Sequence, residues 1–132
     1  MSQGKSATPL GKVRGLGAAK SGAGHWLGER VTSVALVLLS IWFLASLLWL
    51  PSLDQKTLAE WLHGASGAVP MALFVIAAFK HALDGMKVVV DDYVHAEGNR
   101  VATHFVLKMA AIAGGALCLF ALARIAFGAV AA

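Results

Sequence analysis

The sequence predicts an all-α membrane protein: three transmembrane helices, with a short amphipathic interfacial helix between the first and second. Three observations carry this. The chain has 132 residues, 58% apolar and only 14% charged, with a mean hydropathy of +0.73, wrong for an ordinary soluble domain. Three apolar stretches approach the ~20 residues that cross ~30 Å of hydrocarbon. The basic residues gather ahead of the first stretch, where membrane topology explains them. That placement argues against reading the net charge of +4 as a nucleic-acid surface, so no nucleic-acid partner is expected. Cys118, the only cysteine, allows no intrachain disulfide and completes no Cys-based metal site.

In chain order, residues 1–20 mix Gly, Ser, Lys and Arg and read as a flexible basic N-terminal arm. Residues 21–132 read as one three-helix transmembrane anchor domain, with spans at about 31–50, 69–91 and 101–127. Trp26 suits the headgroup level. Val31 to Leu50 carries no charge, and Pro51 ends it. The long polar lead, and a Trp49-Leu50-Pro51 flank without small residues, favour a retained helix over a cleaved signal peptide. Residues 52–64 carry a capping-box spacing at Ser52 and Gln55. Leu53, Leu58, Trp61 and Leu62 share a face there, and Gly64 is the expected C-cap. Pro70 suits the first turn of the second span. Only the segment from Val69 to Phe79 is uncharged, so the charged half needs a bundle or wet surroundings to cross. Residues 91–100 form a polar connection. In the third span Lys108 and Arg124 sit near the ends, and Met109 to Ala123 is rich in small residues that favour close helix packing.

Lys5, Lys12, Arg14, Lys20 and Arg30 precede the first span, whereas the following loop has only Lys56. The positive-inside rule then puts the N-terminus and the 91–100 loop in the cytoplasm, and the 51–68 loop and C-terminus outside.

Chemistry concentrates between Pro70 and His95. On a helix of about 100° per residue, His81, Gly85, Val88 and Asp92 form one face: a histidine, a gap and an acid. Tyr93 lies about 18 Å further along the axis and about 120° around. Beside that face, Lys80, Asp84, Lys87 and Asp91 alternate in sign and form a candidate ion-pair ladder. Its plainer reading is structural, and its alternative is a proton relay.

His81 falls near mid-span, where a histidine serves as a hydrogen-bonding residue, a proton carrier, or a metal or haem ligand. No other histidine shares its depth. A bis-histidine haem would therefore draw its second ligand from another chain. Arg30 reads as a positive-inside anchor or as a partner for a haem propionate. Tyr93 reads as an aromatic-belt residue or as a donor to a quinone carbonyl. Asp92 reads by default as a loop acid beside an interface, and Thr32 and Ser33 are expected to bond back to their own helix. Gly24 and Gly28 have GxxxG spacing outside the apolar run, weak evidence for helix pairing. Phosphate-loop, dinucleotide, nucleophile-elbow and HExxH motifs are absent.

The pattern H81-A82-x-x-G85-x-x-V88-x-x-x-D92-Y93 resembles the signature of the smaller hydrophobic membrane anchor of bacterial succinate dehydrogenase, respiratory complex II. The upstream segments G17-A-A-K-S-G-A-G-H-W26 and E29-R-V-T-S-V34 are similar to its N-terminal region. The resemblance runs from about Gly15 to Phe127. It implies a subunit without catalysis of its own in the inner membrane, acting in the tricarboxylic acid cycle and respiratory chain. Its implied partners are a second hydrophobic (cytochrome b) anchor, an iron–sulfur subunit, a flavoprotein subunit and membrane lipid. It further implies that His81 is an axial ligand of a shared b-type haem, binding the haem iron. Arg30 would then lie near a propionate, with Tyr93 and Asp92 at the quinone, expected to be ubiquinone. Lys80, Asp84 and Lys87 depart from the pattern, which favours apolar or uncharged polar residues there. Alternatives are the anchor of a fumarate reductase, a small ion- or proton-conducting membrane protein, or a haem-free structural adaptor.

Overall fold

The structure, a computed structural model, describes residues 22–128, the side chain of His25 excepted. The arm assigned to residues 1–20 lies outside the described residues. These hold four helices and no strand: α1 Gly22–Trp49, α2 Gln55–His63, α3 Ala65–Tyr93 and α4 Glu97–Phe127. Three of them, α1 from Trp26 onward, α3 and α4, are long and apolar enough to cross a membrane, and α2 is the short helix between the first two.

All three long helices exceed their predicted spans. Hydropathy marks the part of a helix that suits hydrocarbon, whereas the helix continues wherever its backbone bonds do. Thus α1 starts nine residues before Val31, and Gly24 and Gly28 meet no other helix. Helix α3 starts at Ala65, so Pro70 sits in the second turn rather than the first. The connection expected over 91–100 shrinks to residues 94–96, because Asp91, Asp92 and Tyr93 finish α3 and Glu97 opens α4. Such a short link forces α3 and α4 to run antiparallel.

The expected Ser52–Gln55 capping box is not the one formed. Asp54 is the N-cap of α2, accepting from the Thr57 amide at 2.8 Å, and the Ser52 hydroxyl donates to Asp54 at 2.6 Å. The carboxylate accepts both donors, a role glutamine at 55 does not fill. Leu53 precedes the helix and is exposed, while Leu58, Trp61 and Leu62 are half-buried. Gly64 caps α2 as expected, with extended backbone, and also opens α3.

Helix α3 is central: α1 and α4 each pack on it and not on each other. At the α2 end, Trp61 stacks on Trp42 with ring centroids 5.6 Å apart, and Phe43 stacks on Phe74 at 5.9 Å. These rings join α1, α2 and α3. A Cβ on Gly67 would collide with the Trp61 carbonyl, so glycine there lets α3 start directly beneath α2. Phe79 of α3 lies over Gly114 and Gly115 of α4. A Cβ at Gly114 would come within 2.7 Å of its ring, the close approach expected of small residues in membrane helices. The His63 Nδ1–H donates to the Ile125 carbonyl at 3.2 Å, tying α2 to the last turn of α4.

Candidate functional site

His81 stands just past the middle of α3, half-buried. Its Nδ1 lies 3.1 Å from Thr32 Oγ1 on α1. Thr32 Oγ1 also lies 3.0 Å from the Gly28 and Glu29 carbonyls, and Ser33 Oγ donates to Glu29 at 2.8 Å. The expected back-bonds of Thr32 and Ser33 are therefore present. The Thr32 contact with His81 is a further bond that the sequence reading missed. A signal for it existed. Counted outward from the connection between α1 and α3, Thr32 precedes Trp49 by 17 residues and His81 follows Ala65 by 16. Equal rise along antiparallel helices sets the two at one depth.

Nε2 of His81 has no hydrogen-bond partner among the described residues. No side-chain nitrogen or oxygen there is both buried and unpartnered, so Nε2 opens onto the surface of the three-helix unit. Beyond it along the predicted face, Gly85, Val88 and Asp92 are exposed, and Tyr93 is 78% exposed. A Cβ at Gly85 would meet nothing within 4 Å. This chain thus orients the imidazole from behind and leaves the face in front of it uncovered.

Arg30 takes a different direction. It is exposed, with its guanidinium carbon 5.6 Å from the centre of the Trp26 ring, a cation–π arrangement. It heads an open groove of about 420 Å³ with Val31, Val34, Ala35 and Leu38. It lies two positions before Thr32, which turns it about 160° around α1. No hydrogen bond or ion pair joins it to His81, Asp92 or Tyr93 among the described residues.

The ion-pair ladder is shorter than expected. Asp84 is 2% exposed and takes both Lys80 and Lys87, the latter at 3.2 Å. Asp91 instead accepts from His104 Nε2 of α4 at 2.8 Å. The short link between α3 and α4 brings His104 back beside Asp91, a pairing invisible to a count along one helix. No three His, Cys, Asp or Glu side chains gather as a metal-binding group among the described residues. His81 thus stands outside any such group.

The family profile described as succinate dehydrogenase/fumarate reductase transmembrane subunit matches residues 4–117. The chain belongs to that family. Arg30, Thr32, His81, Asp92 and Tyr93 all fall inside the matched region. The succinate dehydrogenase hydrophobic membrane anchor subunit of Paracoccus denitrificans is 31% identical over 125 residues, spanning 93% of this chain and 95% of that protein. The subunit of the same name from Rickettsia bellii is 37% identical over 83 residues, or 63% of this chain and 66% of that protein. The succinate dehydrogenase membrane anchor subunit of Reclinomonas americana is 25% identical over 96 residues, 70% of this chain and 80% of that protein. No solved structure matches.

Proposed function

We propose that this family member is the hydrophobic membrane anchor subunit of a succinate:quinone oxidoreductase. It performs no catalysis alone. It holds the flavoprotein and iron–sulfur subunits at the cytoplasmic face and, with a second hydrophobic anchor, completes a haem site and a quinone site. The observation that carries this is His81: near the middle of α3, held at Nδ1, and open at Nε2 on a face no other helix of this chain covers. That donor would hold the iron of a b-type haem, with a further ligand from the partner anchor. When bound, the haem supplies a one-electron redox centre within the membrane.

The chain's own residues divide the work by depth. His81 offers the Nε2 lone pair to the haem iron. Arg30, stacked on Trp26 in this structure, would turn from that ring to offer its guanidinium to a propionate. Tyr93, exposed at the end of α3, donates its hydroxyl to a quinone carbonyl, ubiquinone by the resemblance, with Asp92 beside it. The positive-inside rule supports a cytoplasmic position for this end and the resemblance a bacterial inner membrane, with electrons arriving there from the iron–sulfur subunit.

Tyr93→Phe in the complete complex tests the quinone role. Succinate–quinone activity is expected to fall about tenfold, as for loss of one hydrogen bond worth about 1.4 kcal/mol. Succinate oxidation with a soluble dye stays near wild type. Equal losses in both assays would instead report failed assembly. The family description also names fumarate reductase, and comparing the two directions of turnover in the same complex decides between them. The ion-conducting reading loses its continuous relay, because Asp91 leaves the ladder for His104.

A further inference from the structure

We propose that Thr32 is a positioning residue for His81, fixing its tautomer and the strength of its Nε2 as a haem donor; this rests on the haem reading above. Thr32 carries a single hydroxyl proton. Two carbonyls of its own helix, Gly28 and Glu29, stand 3.0 Å from Oγ1. Neither can donate. If Nδ1 of His81, 3.1 Å away, were the acceptor, the hydroxyl proton would go to it and leave Oγ1 lone pairs against both carbonyls; a proton on Nδ1 instead lets the hydroxyl serve a carbonyl and Oγ1 accept from the ring, so this tautomer forms two bonds where the other forms one. Nδ1–H donates, and Nε2 keeps its lone pair. Both Thr32 bonds are thereby satisfied in a setting with few competing groups.

The arrangement does two further things. It sets the rotation of the ring, because Nδ1 is tied to α1 while the ring hangs from α3. It also makes the imidazole a stronger donor, because a hydrogen bond from Nδ1–H pushes electron density toward Nε2. A stronger donor favours ferric over ferrous iron and lowers the haem midpoint potential. The threonine methyl fills space beside the ring, so valine replaces the residue with little change of shape and without the acceptor.

The test uses the purified four-subunit complex with Thr32→Val, Thr32→Ala and Thr32→Ser, and succinate–dye activity reports assembly. Redox titration of the haem band is expected to show a raised midpoint potential in Thr32→Val and Thr32→Ala. Haem affinity is expected to weaken about 10- to 100-fold, as for other lost partners of a metal-ligating histidine. Thr32→Ser restores the acceptor and keeps both quantities near wild type. Unchanged potential and affinity in the assembled Val or Ala variant would overturn the proposal, as would a Thr32→Ser shift equal to that of Val. In both cases haem that depends on His81 leaves the haem reading standing. A wild-type complex whose haem does not depend on His81 overturns both.

Discussion

Asp84 is the most deeply buried polar side chain among the described residues, and two lysines share it. Removing one member of a buried ion pair leaves an uncompensated charge, whereas replacing the group by apolar residues of similar volume is close to neutral. Asp84→Ala is therefore expected to destabilise the assembled complex by about 3 kcal/mol, the lower end of that range because Lys80 stays half-exposed. The triple replacement Lys80→Met, Asp84→Leu and Lys87→Met should cost less than the single one. Thermal inactivation of succinate–quinone activity measures both. A triple variant weaker than Asp84→Ala would mean that the charges themselves are needed. Sequence showed the alternating charges but not their division. A count along one helix makes Asp91 the next rung, and only the return of α4 gives it His104 instead. The contact between Thr32 and His81 was missed for the same reason. Each was legible alone, and their meeting depends on how two helices align.

At the scale of elements, the spans and the interfacial helix were legible because hydropathy and amphipathic spacing report them directly. The helix ends were not, since a helix runs on through Gly22–Arg30 and Asp91–Tyr93 regardless of polarity. The junction of α2 with α3 turns on Gly67, whose importance appears only once Trp61 is seen over it. Gly67→Ala forces backbone against backbone and should cost about 1–3 kcal/mol, as overpacking does. Gly85→Ala, with nothing within 4 Å, should leave the chain's own fold intact. Protease resistance of the membrane-inserted subunit separates the two. At the start of α2, the Ser52 hydroxyl, with smaller help from Thr57, holds the Asp54 carboxyl below its ordinary 3.8. A lowered folded-state pKa means that Asp54 stabilises α2 fully above the ordinary value. That stabilisation fades as pH falls through the lowered one. Hydrogen exchange of the Gln55–His63 amides should therefore accelerate as pH drops below about 4 once intrinsic rates are divided out, and Asp54→Asn should remove most of this pH dependence.

Across the whole molecule, α3 is the axis. It packs against both other long helices, which do not pack on each other, it carries the buried Asp84, and it presents His81, Gly85, Asp92 and Tyr93. The charged half that looked too polar to cross a membrane is accommodated in two ways: Asp84 is sealed by lysines, and Asp91 is matched by His104. The remaining apolar surface of α1 and α4 is extensive and exposed, as expected where lipid and partner subunits, rather than a core of its own, surround the chain. The resemblance carried by residues 81–93 anticipated the family that the profile match gives, while the arrangement behind His81 belongs to the fold.

The central claim is that His81 ligates haem on behalf of a two-chain site. The most direct measurement is the reduced-minus-oxidised visible spectrum of the purified four-subunit complex, wild type against His81→Ala, at equal succinate–dye activity. The account predicts a b-type signal in the wild type that is lost or strongly diminished in His81→Ala. An unchanged b-type signal in the variant, or a fully active wild-type complex without one, would contradict it.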